Sequence, residues 1–365
     1  MINLTIVAGA RPNFMKVAPI LKAIQNRKKI GEKINFRLVH TGQHYDKKMS
    51  GDFFEQLNIP EPDINLEAGG GTQAEQTASI MVAFEKELMA NRPDLVIVVG
   101  DVTSTLACSI TAKKLGIDVA HVEGGIRSGD MSMPEEVNRI VTDSITDHFF
   151  TTSEVANQYL RSVGVAENRI HFVGNTMIDT LFSNQEKFIR PVGEMYVDLV
   201  PKCYFVMTMH RPANVDGEQQ LKALIDAIMI GTGDFPVIFP VHPRTAKNLE
   251  KIGIIHSRLK MVEPLPYLEF NFLVKNSLGV ITDSGGITEE ASVMNVPCIT
   301  MRNNTERPET VAFGTNEIIG TNPANLKAPL EKLLKGEWKM YKGIPLWDGK
   351  AAQRIVRKII EIYGD

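Results

Sequence analysis

Cysteine is scarce in this sequence. Only Cys108, Cys203 and Cys298 occur in 365 residues, far apart and without a CxxC pair, which argues against both a disulfide framework and a zinc site. An excess of one charge is also missing: 40 Lys and Arg face 43 Asp and Glu, a net charge of −3, so there is no electrostatic footprint for nucleic acid. No apolar run approaches the ~20 residues that span a bilayer. The chain opens on an apolar strand, without a basic n-region or cleavage site ahead of it. A GxGxxG fingerprint and a Walker A loop are absent, which removes the usual dinucleotide and P-loop signatures. Neither nucleic acid nor membrane is an expected partner, and a cytoplasmic enzyme is the expected class.

What is present is an ordinary globular composition, 43% hydrophobic and 23% charged, in a chain long enough for roughly two domains of about 150 residues each. Short β-branched runs alternate with amphipathic helical stretches. The strand candidates are 3–9, 35–40, 94–100, 118–123, 147–152 and 169–174, followed by a second series at 203–209, 235–241, 258–263, 278–283, 296–300 and 315–320. Near-continuous apolar strands between helices mean parallel sheets covered on both faces. Two series imply two Rossmann-like, doubly wound α/β domains, expected at 1–175 and 176–349, with the helical stretch 350–365 crossing back to the first. Such sheets bind ligands at their strand C-termini, so an active site in the interdomain cleft is expected.

The strand ends carry the chemistry. The first runs into GARPNFMK: Gly9 permits a tight turn, Pro12 suits a first helical position, Arg11 emerges at the turn, and Lys16 lies one helical turn on. A helix N-terminus with an arginine beside it suits an anion, although a surface Arg and a solvated Lys would read the same way. Asp101, in VVGDVTSTLA, is either a strand-end acid or a helix N-cap. In HVEGGIRSGDMSMPEEVNR (121–139) Glu123 ends the next strand, and a helix opens at Pro134 with Glu135, Glu136 and Arg139. Glu135 and Arg139 have the i,i+4 spacing of a surface ion pair. That pairing leaves Asp101 and Glu123 at neighbouring strand ends unexplained. Carboxylates around one crevice repel, so at least one should hold its proton more tightly. Such clusters point to a metal or to acid–base work. No histidine–carboxylate ligand set lies nearby, so acid–base chemistry leads and no metal is expected.

The second series supplies cations and donors. His210 and Arg211 follow its first strand, and His242 and Arg244 its second. In TDSGGITEEAS, Ser284, Gly285 and Gly286 precede a helix, so their N–H groups can face a phosphate. Glu290, one turn inside, is better placed to accept from sugar hydroxyls. Arg302 and Arg307 follow the next strand. Together these residues describe a nucleotide-sugar site.

With GARPNFMK, TGQHYD, GDVTSTLA, HVEGGIRSGD, MPEEVNR, GNTMID, HRPAN, PVHPR, TDSGGITEE and RNNTERPE in this order, the chain resembles the non-hydrolysing UDP-N-acetylglucosamine 2-epimerases over essentially its whole length. The resemblance implies a glycosyltransferase-B-like fold and interconversion of UDP-N-acetylglucosamine and UDP-N-acetylmannosamine with no added cofactor. It implies Asp101, Glu123, Glu135 and His210 as catalytic residues, and Arg11, Lys16, Ser284, Gly285, Gly286, Glu290 and Arg307 as substrate-binding residues. Gln43, His44, Glu136, Arg211 and His242 match the region where several bacterial members bind a second UDP-N-acetylglucosamine as activator. In that region this chain has QHYDKKMS where those members carry a QHRxML-like segment. A homodimer and a place in cell-envelope polysaccharide synthesis are also expected. Because the C2 hydrogen is not α to a carbonyl, the family expels UDP from C1 to give a glycal and re-adds it after C2 is protonated on the other face. The open alternatives are a hydrolysing epimerase, a 2-epimerase for a related UDP-sugar, a retaining glycosyltransferase and a nucleotide-sugar sensor.

Overall fold

The computed structural model describes residues 1–42, 56–57, 59–241, 243–254 and 256–364, the side chains at positions 11, 12, 212, 243, 244 and 247 excepted. Contacts divide the chain into two compact units, Met1–Ser183 with Pro345–Asp365, and Asn184–Ile344.

The first unit is built on strands β1 (Ile2–Ala8), β2 (Ile34–His40), β3 (Ile64–Asn65), β4 (Leu95–Val99), β5 (Asp118–Val122), β6 (His148–Thr151) and β7 (Ile170–Phe172). All pair in parallel, in the order β3-β2-β1-β4-β5-β6-β7. Its helices are α1 (Arg11–Lys29), α2 (Gln73–Ala90), α3 (Thr103–Lys114), α4 (Pro134–Ile145), α5 (Glu154–Ser162) and α6 (Thr176–Asn184). The apolar runs become central strands: every residue of β4 is buried, as a parallel sheet with helices on both faces requires. The two-residue β3 has no counterpart among the sequence candidates, being too short for a period to register.

The second unit has strands β8 (Phe205–Thr208), β9 (Val237–Pro240), β10 (Leu259–Val262), β11 (Gly279–Thr282), β12 (Cys298–Thr300) and β13 (Asn316–Ile318). They too are all parallel, in the order β10-β9-β8-β11-β12-β13. The helices here are α7 (Glu194–Val197), α8 (Pro212–Val215), α9 (Glu218–Gly231), α10 (Pro243–Lys251), α11 (Tyr267–Asn276), α12 (Gly285–Val293), α13 (Pro308–Ala312) and α14 (Lys327–Leu334). Both sheets reverse direction of winding beside their first strand, between β1 and β4 and between β8 and β11. The crevice at such a switch point is where open α/β sheets bind ligands.

The last helix, α15 (Ala351–Tyr363), packs Ala351, Ala352, Ile355, Val356 and Ile359 inward and belongs to the first unit. Asp179 of α6 receives its free N-terminal groups: Ala351 N donates to Oδ1 at 3.0 Å and Ala352 N to Oδ2 at 2.7 Å. Trp347 Nε1 donates to Thr152 O at 2.9 Å, and the Tyr363 hydroxyl to Asp118 Oδ2 at 2.8 Å. The two bonds to Asp179 satisfy helix-end N–H groups that would otherwise be buried without partners.

Candidate active site

In the first unit, Asn13 shapes the exit from β1. Its Oδ1 accepts from Gly9 N at 3.2 Å and Ala10 N at 3.0 Å, while its Nδ2 donates to Val99 O at 2.9 Å. One side chain thus ties the first turn of α1 to the end of β4. Arg11 opens α1, but its side chain lies outside the described residues. Lys16, one turn on, donates to Glu123 Oε2 at 2.7 Å. Glu123 is buried and sits at φ +75°, a left-handed conformation costing a non-glycine residue roughly 1–3 kcal/mol. Gly100, at φ +71°, brings the end of β4 alongside: a Cβ there would stand 3.4 Å from Lys16 Nζ and 3.8 Å from Glu123 Oε2.

Asp101 does not cap α3, whose N-cap is Val102. Its carboxylate is ion-paired to the buried guanidinium of Arg139, and its carbonyl accepts from Asn138 Nδ2 at 2.8 Å. The Glu135–Arg139 ion pair that the i,i+4 spacing left open does not form. Arg139, itself buried, turns instead to the partly buried Asp101 and, at i,i+3, to the buried Glu136, whose Oε2 lies at 2.7 Å. Glu135 is half-buried in the first turn of α4 and has no ion-pair partner among the described residues. Glu136 anchors a loop, accepting from Ser128 N and Gly129 N, each at 3.0 Å. Burial pushes its carboxyl up, but the Ser128 N–H, the Arg139 guanidinium and the Gly129 N–H outweigh this and hold it below its ordinary value.

In the second unit the organising group is Asp283, a fully buried carboxylate that the sequence marks only as the end of a strand. It accepts from His210 N at 3.1 and 3.0 Å, Arg211 N at 2.9 Å and Asn214 Nδ2 at 3.1 Å. The exposed His210 ring meets it through Nδ1 at 2.8 Å. Burial would raise this carboxyl, but the bond and charge of His210, the Arg211 N–H and Asn214 bring it below its ordinary value. Asp283 therefore joins the turn after β8 to the turn after β11, across the switch point. Arg211 Nε is buried and without a hydrogen-bond partner among the described residues.

The Ser-Gly-Gly corner opens α12, with Ser284 as N-cap. Ser284 N is engaged by Thr282 Oγ1 at 2.9 Å, while the space beside Gly286 is open: a Cβ there meets nothing within 4 Å. Glu289 is ion-paired to Arg307, both buried. Arg302 forks onto Glu306 at 2.8 and 2.9 Å. Glu290 is buried and accepts from the Tyr267 hydroxyl at 2.7 Å. Burial pushes its carboxyl up to about 7, with the neighbouring Glu289 charge adding to the rise against the Tyr267 bond. Gln43, His44 and His242 lie outside the described residues.

The first unit thus gathers Lys16, Asp101, Glu123 and Arg139 around one switch point, and the second gathers His210, Arg211, Asp283 and the Ser284–Gly286 corner around the other. Asn13, Asp283 and the counter-ion role of Arg139 escaped the sequence reading. Asp283 carried a usable signal, since it stands at a strand end as Asp101 does.

A family model for UDP-N-acetylglucosamine 2-epimerase matches residues 24–360. The chain is 41% identical over 376 residues to the UDP-N-acetylglucosamine 2-epimerase of Methanocaldococcus jannaschii, covering 99% of each. It is 36% identical over 366 residues to the UDP-2,3-diacetamido-2,3-dideoxy-D-glucuronate 2-epimerase of Pseudomonas aeruginosa, covering 98% of this chain and 99% of that one. The crystal structure of the M. jannaschii enzyme in complex with UDP-GlcNAc and UDP matches with a TM-score of 0.86 at 40% identity, over 99% of this chain and 100% of that one. The chain belongs to the UDP-N-acetylglucosamine 2-epimerase family.

Proposed function

We propose that this chain catalyses the reversible C2 epimerisation of UDP-N-acetylglucosamine to UDP-N-acetylmannosamine by elimination and re-addition of UDP. The carrying observation is the pair of carboxylates at adjacent strand ends, Asp101 and Glu123, each held by its own cation, Arg139 and Lys16. A base takes the C2 proton and the C1–O bond breaks, its electron pair leaving with UDP. The C1–C2 double bond of a glycal forms. Protonation of C2 on the opposite face and return of UDP to C1 close the cycle, with no net oxidation or hydrolysis.

Asp101 and Glu123, at adjacent strand ends, are assigned to accept a proton and to face positive charge developing at C1. Glu135, half-buried in the first turn of α4, is assigned the proton on the other face in this reading. On the second unit, the N–H groups at the start of α12 and His210 suit the pyrophosphate, and Glu290 the ribose hydroxyls. Arg11 on the first unit and Arg307 on the second are the further cations assigned to anion binding in this reading. The residues matched to an activator, Gln43, His44, Glu136, Arg211 and His242, would take a second nucleotide sugar, with Glu136 acting through the loop it anchors. The reaction is placed in the cytoplasm, in a homodimer that supplies an amino sugar for cell-envelope polysaccharide. The lack of any helix long and apolar enough to cross a membrane, among the described residues, is compatible with that placement.

A second substrate reading has support of its own. The Pseudomonas relative is a 2-epimerase for a 2,3-diacetamido uronic acid, so a UDP-sugar with altered C3 and C6 groups is the alternative. Both are tested by incubating the protein with each UDP-sugar in deuterated water and following C2 by NMR. Deuterium at C2 with both epimers present and no free sugar is the expected result for the true substrate. Free N-acetylmannosamine would make the enzyme a hydrolysing epimerase, and no exchange with either sugar would reject epimerisation.

A further inference from the structure

Behind the carboxylates of the first unit lies a second charged cluster, to which the reading above gives no part. His121 of β5 is 1% exposed. Its Nδ1 meets Asp143 Oδ1 at 2.7 Å and its Nε2 meets Gly100 O at 2.8 Å. A carbonyl oxygen only accepts, so Nε2 carries a hydrogen. The other carboxylate oxygen, Asp143 Oδ2, accepts from Gly125 N at 2.9 Å and from Arg127 Nη1 at 2.7 Å. Arg127 in turn lies over the Tyr159 ring, 4.2 Å from its centroid.

The bonds converge on two pieces of backbone. Gly100 immediately precedes Asp101, and Gly125 follows Glu123 by two residues. Glu123 is held at positive φ, where a non-glycine residue stays only if its surroundings fix it, while Gly100 takes the same region without strain. The glycine pair after Glu123 is required by close packing around the same turn. A Cβ on Gly124 would come within 2.9 Å of Phe149 Cδ1 and 3.4 Å of Asp143 Oδ1, and one on Gly125, at φ +82°, within 2.7 Å of Ala156 O. The chain after Glu123 can therefore close onto Asp143 only without side chains. Burial would raise the Asp143 carboxyl, but the charge and bond of His121 and of Arg127 keep it below its ordinary value, so it stays an acceptor for all three donors.

We propose that His121, Asp143 and Arg127 are positioning residues for the proposed epimerisation: the cluster clamps the ends of β4 and β5 against each other and so sets the separation of Asp101 and Glu123. The inference rests on the epimerase reading. It concerns residues that do not meet the substrate and act through the Gly100 carbonyl and the Gly125 N–H.

Two substitutions at one position separate this role from mere packing. The amide of His121→Asn stands where Nδ1 is and keeps the Asp143 arm, while Gly100 O loses its donor. The longer His121→Gln puts its amide where Nε2 is and keeps the Gly100 arm. A misplacement of about 1 Å in a reacting group costs up to ~100-fold in rate. His121→Asn is expected to lower kcat by about 10- to 100-fold with the Kd for UDP unchanged in calorimetry, since the cluster bonds to none of the groups proposed to hold UDP. His121→Gln is expected to regain at least half of that loss on a logarithmic scale. Equal losses in the two variants, or a loss carried by UDP affinity, would overturn the positioning role. Should His121→Asn not fold, Arg127→Gln carries the test: a fall of roughly threefold to tenfold in kcat at unchanged UDP affinity supports the clamp, and unchanged kcat overturns it. A wild-type protein that epimerises no UDP-sugar would instead reject the functional reading on which the clamp depends.

Discussion

Glu290 offers the sharpest test of the electrostatics. Its carboxyl, ordinarily at 4.5, is pushed up to about 7 by burial. The folded chain therefore binds this proton more tightly than the unfolded chain. The resulting stability is fully present below about pH 4.5, is lost as the pH rises and is gone above about 7. Each pH unit between the two values is worth about 1.4 kcal/mol, so ionising Glu290 in place costs the fold about 3 kcal/mol by pH 8. Glu290→Gln removes that cost while keeping an oxygen for the Tyr267 hydroxyl. The new amide N–H can turn to Asn271, which stands beside the carboxyl and whose amide oxygen has no hydrogen-bond partner among the described residues. At about 2–4 °C per kcal/mol for a unit of this size, the variant should melt about 6–12 °C above wild type at pH 8. The difference should be less than about 4 °C at pH 5. Under the proposed reading it should also bind UDP more weakly, because a carboxylate that accepts from ribose hydroxyls is gone. Scanning calorimetry across this pH range, with UDP titration at each end, is the assay. A melting difference that stays flat with pH, or a variant less stable throughout, would refute the account of a carboxyl buried at a cost.

Asp101→Asn and Glu135→Gln should each lower kcat by about 10²–10⁴-fold, the usual worth of a general acid or base, with UDP affinity nearly intact. Activity within twofold of wild type removes that residue from the chemistry. Arg307→Ala leaves the Glu289 carboxylate buried without its guanidinium, so a loss of about 3–5 kcal/mol is expected, read as a lower melting temperature, together with weaker UDP binding. The double variant Arg307→Ala/Glu289→Ala should recover most of the stability and none of the affinity. Recovery of both would make Arg307 a structural residue only.

Much of this was legible one residue at a time. The period of the apolar runs marks both parallel sheets, because a strand buried on both faces has no solvent side to leave polar. The strand-end positions of Asp101, Glu123, His210 and Ser284 follow from those runs. The placement of Arg139 was not legible. Its four-residue spacing from Glu135 suggests a surface pair, and only its own burial, with Asp101 and Glu136 brought beside it, decides otherwise. Asp283 was visible as a strand-end acid, but its partners lie about 70 residues earlier in the chain.

The sequence by itself determined the class of each sheet, the helices between the strands and the inventory of acids, cations and glycines at the strand ends. Local periodicity and turn chemistry are properties of neighbours in the chain. Only the tertiary structure decided the strand order. That order brings the end of β1 beside that of β4, and the end of β8 beside that of β11. Which carboxylate receives which cation, which acid is left without one, and what stands behind the pair all depend on that adjacency. Strand pairing across such separations is chosen by the burial of whole faces, to which no short stretch of sequence is subject alone.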